Sequence, residues 1–176
     1  MTDLLLPKKG TFRRLAIKKD NTLEIVIVEG ATIVPVDFTD AKELEQVYYQ
    51  GLDNRKMRST FVNETSSRSH LLFSIFIERT DKNGKITMGK ITFIDLAGSE
   101  SLNEIGVDPQ RFFEGMQIND SLICLGLVIR QVASQVTPAY DLHLLTELMQ
   151  DSLGGNSKTL MIACISPSIF DIAQTR

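Results

Sequence analysis

Two short blocks of this 176-residue chain carry side chains able to do chemistry. Asp95-Leu-Ala-Gly-Ser-Glu100 directly follows the apolar run Ile91–Ile94. A carboxylate at the C-terminal end of a buried strand stands where open α/β sheets bind ligands. In nucleotide-hydrolysing folds such an Asp helps to hold Mg2+, and a glycine just beyond it lets a backbone N–H approach a terminal phosphate. The same residue types also suit an ordinary strand-to-loop turn, and the block alone leaves both readings open. Asn63-Glu-Thr-Ser-Ser-Arg-Ser-His70 is the second block. Its hydroxyls can ligate Mg2+ or orient a water, and Arg68 can pair with a carboxylate or a phosphate. Four hydroxyl residues in one loop are more often plain turn chemistry, and for this block alone that is the favoured reading. His70, at the start of an apolar run, reads as a structural histidine with satisfied ring nitrogens, and no His/Cys cluster has zinc spacing.

Gly154-Gly-Asn-Ser-Lys-Thr159 imitates a phosphate loop without being one. The pattern G-x-x-x-x-G-K-[ST] needs glycine immediately before the lysine and again five residues earlier, between a strand and a following helix. Ser157 and Ser152 occupy those places, and the segment leads out of a helical pattern into a strand-like one.

The elements that must position these blocks follow from periodicity and punctuation. Leu23–Val28 and Ala31–Val36 read as short strands. Asp40 and Glu43 have capping-box spacing ahead of a helix whose apolar face is Leu44, Val47 and Tyr48 and whose C-terminal cap would be Gly51. Leu71–Ile77 is apolar on both faces, as a central strand would be, and Asn83-Gly84 marks a two-residue turn into a second strand, Ile86–Ile94. Ile118, Leu122, Leu125, Ile129 and Val132 form the stripe of a long helix. Asp141–Leu153 repeats the pattern up to Gly154, and Thr159–Ile165 reads as a buried strand. Strands interleaved with helices indicate a layered α/β domain.

Composition narrows the partners. A net charge of −3 argues against a generally basic nucleic-acid binder. Cys124 and Cys164 lie in apolar runs and are expected to be buried, reduced thiols of an intracellular protein. The opening residues lack the basic start and apolar core of a signal peptide, and no run approaches a membrane span, so no membrane partner is expected.

Taken together, NETSSRSH at 63–70, DLAGSE at 95–100, INDSLICLG at 118–126 and LTELMQDSLGGNSKT at 145–159 resemble the kinesin motor domain, with Asn54-Arg55 and Thr60 in keeping. The resemblance runs from about Asp3 to Thr175. The opening DLLLPKK with Ile17-Lys-Lys-Asp20 looks most like the minus-end-directed, calmodulin-binding plant class. It implies an α/β, P-loop NTPase-like layered motor fold that is incomplete here, residues 1–176 being its C-terminal part, with the phosphate loop and the early sheet strands preceding the matched segment. It also implies ATP and Mg2+ as cofactors, both of which need that phosphate-loop part. Ser67 would ligate Mg2+, and Asp95 would reach it through water. Ser66 and Asn63 would line the γ-phosphate and the attacking water, Arg68 and Glu100 would close the two switches by a salt bridge, and the Gly98 N–H would sense the γ-phosphate. The helix beginning near Ile118 would relay switch movement to a microtubule face.

In the family the strand matching 159–165 lies between strands of the other half. Its lack of neighbours here predicts a longer polypeptide or a partner chain that supplies them. The resemblance places Asn119, Asp120, Asp141, Leu144 and Glu147 on the track-facing surface, and four of these positions depart from the family. Asp141, Leu144 and Glu147 stand where it has Arg, Lys and Arg, and Asp120 replaces a Lys. From Ser101 to Asp151 two arginines face seven carboxylates, a net −5. Tubulin's surface is acidic, so the substitutions predict weakened track affinity, since like charges across an interface can cost several kcal/mol. A merely solvated helix face is the plainer alternative. Two functions follow: an ATP-hydrolysing microtubule motor of the cytoplasmic cytoskeleton, or a kinesin-derived structural or regulatory module in a fixed microtubule assembly such as an axoneme.

Overall fold

A computed structural model describes residues 1–6, 13–37, 39–57, 69–99 and 109–167. The chain divides into two compact units, Met1–Gly98 and Ser99–Arg176.

In the first unit, β1 (Ala16–Asp20) and β2 (Ile25–Glu29) pair antiparallel, from Ala16 opposite Glu29 to Asp20 opposite Ile25. The Asp20 carboxylate accepts the N–H groups of Thr22 and Leu23 and so fixes the turn. The partner of β2 is therefore the preceding segment, not residues 31–36, which form no strand and leave Ile33 exposed. Pro35 has no N–H to give a ladder, whereas Ala16–Asp20 offers a full set of donors despite a sequence with little alternation.

The helix α1 spans Ala41–Met57. Asp40 caps it, its carboxylate accepting the Lys42 N–H at 2.9 Å. The expected reciprocal half of the capping box is absent, because the Glu43 carboxylate turns to the Asp37 N–H at 2.8 Å. Gly51 does not end the helix, which continues for six residues past it. A helical glycine costs about 1 kcal/mol. Here tertiary contacts offset that cost: the Asn54 side-chain amide donates to the Leu4 carbonyl at 2.7 Å, and Leu5 lies over Gly51. Tyr48 meets Phe73 edge to face at 5.3 Å, seating α1 on the next strand.

That strand, β3 (Leu71–Thr80), pairs antiparallel with β4 (Ile86–Asp95) over ten residues, from Leu71 opposite Asp95 to Thr80 opposite Ile86. The connection is five residues, Asp81–Lys85, longer than the expected two-residue turn. Asp81 accounts for the difference: its carboxylate accepts the N–H groups of Asn83 and Lys85, while Gly84 takes φ +78°. Among the described residues the two strands form a two-stranded sheet, so β3 has β4 alone as its neighbour rather than a central position. Phe76, Ile77, Ile91 and Phe93 are correspondingly exposed. Lys90 joins the two hairpins by donating to the Val26 carbonyl at 2.7 Å.

In the second unit, α2 spans Pro109–Ala133, starting nine residues before Ile118, with proline at the first position where its missing N–H costs nothing. Ser121, Leu125 and Val128 form its buried stripe, and Leu145, Thr146 and Met149 complete the core. The long helix expected over 141–153 is instead a 3-10 turn, Tyr140–Leu142, followed by the short α3, Leu144–Leu148. The break lies at His143, whose extended backbone lets Nδ1 accept the Leu145 N–H at 3.0 Å while the Thr146 hydroxyl accepts the His143 N–H at 3.2 Å. Gly154, at φ +77°, closes the following turns beside Tyr140, whose hydroxyl donates to the Leu153 carbonyl. Burial pushes the Tyr140 pKa up.

Residues 159–165 form neither a strand nor a buried run. Leu160 is 84 % exposed and Ile162 81 %. Cys124 is half-buried and Cys164 exposed, both free thiols, where the sequence led us to expect two buried ones. Among the described residues no helix is long and apolar enough to cross a membrane.

Candidate functional site

The β3–β4 ladder ends at Leu71 opposite Asp95, which leaves Ser69-His70 and Leu96-Ala97 adjacent just beyond it. The last turn of α1 delivers Arg55 to the same place, where a cation also complements the partial negative charge of the helix C-terminus. The Arg55 guanidinium spreads its donors over two segments: Nη1 is 3.1 Å from Asp95 Oδ2, and Nη2 donates to the Ser69 carbonyl at 2.6 Å. A planar fork of this kind suits two acceptors at once, which a lysine would not match. The side chain of Arg55 is only 12 % exposed, whereas that of Asp95 is 64 % exposed. The carboxylate is thus steered by a mostly buried cation while facing solvent.

A second bond lies beside the first. The Ala97 N–H donates to His70 Nδ1 at 3.0 Å. Because the donor is a backbone amide, Nδ1 must be the acceptor nitrogen of a neutral imidazole with its proton on Nε2. Ala97 is 5 % exposed, and Gly98 follows it half-buried. His70 thereby ties the end of the first polar block to the loop of the second through Nδ1.

Of the sequence-derived site residues, Asp95 and Gly98 share this loop. Asn63, Ser66, Ser67, Arg68 and Glu100 lie outside the described residues, so the expected Arg68–Glu100 bridge is not described. In the second unit Asp120 is exposed and Asn119 half-buried on α2; Asp141 and Leu144 are exposed and Glu147 half-buried around α3. Sequence reasoning missed Arg55 as the partner of Asp95 and the bond that the Ala97 N–H donates to His70. The signals were faint: an arginine forty residues from its partner, and a histidine one residue before a strand.

The donor chemistry allows a limited metal role. Asp95 supplies hard carboxylate oxygen, largely in water, as suits contact with Mg2+ through its hydration shell. Among the described residues no group of three His, Cys, Asp or Glu side chains could surround an ion, so phosphates and water would have to complete its coordination.

Comparison with known proteins gives this arrangement a context. The profile of the family described as Kinesin motor domain matches residues 1–176. The chain is 42% identical over 178 residues to Kinesin-like protein KIN-14E of Arabidopsis thaliana, covering 99% of this chain and 14% of that protein. It is 40% identical over 164 residues to Kinesin-like protein KIF18A of Mus musculus, covering 88% and 18%. It therefore spans about a seventh of the first of these relatives. Among solved structures, that of a fast kinesin matches with a TM-score of 0.80 at 33% identity, over 98% of this chain and 48% of that one. The C-terminal motor and motor homology domain of Kar3Vik1, fused to a synthetic heterodimeric coiled coil, matches with a TM-score of 0.79 at 32% identity, over 98% and 44%. Motif order and these likenesses over nearly the whole length agree: this chain belongs to the kinesin motor domain family.

Proposed function

We propose that residues 1–176 are the switch-bearing, C-terminal part of a motor domain whose whole protein hydrolyses ATP and works on microtubules. One observation carries this reading: the ends of the two polar blocks meet, Ser69 with Asp95 through Arg55 and His70 with Ala97 directly. Phosphoryl transfer asks a protein chiefly for positioning and charge compensation, and two loops braced against each other are a means to both. Likeness to proteins described as a kinesin motor ATPase and by interactions with microtubules supports the same reading.

In this proposal ATP and Mg2+ bind jointly with a phosphate loop outside these residues. The bound Mg2+ would supply charge neutralisation at the β- and γ-phosphates. Ser67 holds the ion directly and Asp95 through water. Asn63 and Ser66 orient the attacking water, Arg68 and Glu100 close the switches around it, and the Gly98 N–H faces the γ-phosphate. Strands outside residues 1–176 would cover Leu160–Ile165, whose exposure is otherwise hard to reconcile with its apolar sequence.

A second reading draws on the exposed Asp120, Asp141 and Leu144, a surface poorly matched to acidic tubulin. Under it the protein is a non-motile structural or regulatory part of a microtubule assembly such as an axoneme. Steady-state ATPase assays of the whole motor domain with and without microtubules separate the two. A motor gives microtubule-stimulated turnover and salt-sensitive co-sedimentation; a structural module gives neither. On the first reading, Glu100→Ala abolishes turnover without unfolding the protein. Retained turnover in that variant removes Glu100 from the switch.

A further inference from the structure

We infer that His70 is a positioning residue that sets the direction of the Gly98 N–H by holding the peptide immediately before Ala97. The inference rests on the nucleotide-site reading above and deepens it, since it gives that site a residue acting through the backbone.

Geometry carries it. The antiparallel ladder stops at Leu71 opposite Asp95, so the Ala97 N–H has passed the last backbone partner. His70 takes over with a side-chain acceptor, Nδ1 at 3.0 Å. That bond fixes the plane of the Leu96–Ala97 peptide. Only the φ and ψ of Ala97 then lie between the fixed plane and the Gly98 N–H, and Ala97 is itself buried. Arg55 steadies the other side of the same turn through Asp95 and the Ser69 carbonyl. The loop is thus held at 95 and at 97, and Gly98 is the first residue past both anchors. A backbone donor aimed at developing charge works by being in place beforehand, so an anchor one residue away affects turnover more than substrate binding.

The test uses the complete motor domain with Mg-ATP and three variants. His70→Leu removes the acceptor. His70→Phe removes it while keeping a flat ring, and serves if the leucine variant does not fold. His70→Asn restores an acceptor, Oδ1, near the position of Nδ1. Residue-resolved amide exchange reads the anchor directly. Loss of one hydrogen bond should speed exchange at Ala97 by roughly five- to tenfold in the apolar variants. Exchange at Phe73 and Ile91 should stay at the wild-type rate, and the Asn variant should restore protection at Ala97. The same apolar variants should lower kcat at least roughly tenfold with KM for ATP changed by less than about threefold, and Asn should recover most of kcat.

Unchanged exchange at Ala97 overturns the anchor. Faster exchange with kcat unaltered, or with the loss confined to KM, overturns the positioning role. Faster exchange at Phe73 and Ile91 as well would make His70 a general stability residue and overturn the inference. If the wild-type domain has no ATPase activity, the proposed function fails by itself, and amide exchange still decides whether His70 anchors the loop.

Discussion

β4 and residues 159–165 are both apolar, β-prone runs leading to polar loops, yet they differ in state. Every residue of β4 faces a partner in β3, and the strand delivers Asp95 to a defined place. Residues 159–165 have no ladder, and Leu160 and Ile162 lie almost fully in solvent. Residue type does not separate them. What separates them is where the partner lies: β3 is five residues away, across a short loop whose closure costs little, whereas among the described residues no strand lies close in sequence to 159–165. An unpaired extended segment gives up its ladder bonds and leaves its side chains wet. Even β4 is only partly satisfied, since Phe93 remains exposed.

The largest expected effect tests this contrast. Ile162→Asp should change the stability of the 176-residue chain by no more than about 0.5 kcal/mol, because the position is already solvated. In the whole motor domain, where the proposed strands would enclose it, the same carboxylate would be buried without a partner and should cost about 4 kcal/mol or more. Urea denaturation of both proteins makes the comparison. Equal small effects would mean that residues 159–165 stay uncovered in the whole protein.

The same contrast explains what could be read in advance. The β3–β4 pair was legible because β-branched residues and the turn signal Asn83-Gly84 act locally, whereas the five-residue length of the turn, set by the Asp81 carboxylate, was not. The burial of 159–165 was misjudged because hydrophobicity reports a tendency to be covered, not what does the covering. Gly51 misled for a related reason: a glycine stops a helix only when nothing else holds the next turn, and Asn54 reaching the Leu4 carbonyl does hold it. At the site, Asp95 and Gly98 stood out by type and spacing. Arg55 did not, since an arginine in a helix's last turn is ordinary until the fold brings Asp95 to it.

Two turn glycines sharpen the picture at intermediate size. At Gly30, φ is +84° and an added Cβ would sit 2.6 Å from the Arg14 carbonyl oxygen, so Gly30→Ala forces the β1–β2 hairpin's flanks apart. Gly84 has a similar φ, +78°, with nothing within 4 Å of the added carbon. Gly84→Ala should therefore cost only the left-handed backbone penalty, about 1 kcal/mol, and Gly30→Ala clearly more, about 2–3 kcal/mol. Thermal or urea unfolding checks the order. A reversal would mean that the β3–β4 turn is the tighter of the two.

The smallest effect asks how covered the β3–β4 hairpin becomes. Ser74 and Thr92 are directly opposed, with hydroxyls 3.1 Å apart on an exposed part of the sheet. Cross-strand hydroxyl pairs of this kind contribute roughly 0.2–1 kcal/mol. A double-mutant cycle with Ser74→Ala and Thr92→Val, the latter keeping the branched shape, should give a coupling near the bottom of that range in the 176-residue chain. If strands or helices outside these residues cover this face in the whole motor domain, water no longer competes for the hydroxyls and the coupling should rise toward the top of it. Unequal couplings would mean that the hairpin, like residues 159–165, gains its full environment only in the longer protein. Equal couplings would mean that this face is solvated in both, so that its state, unlike the one proposed for residues 159–165, does not depend on what surrounds it.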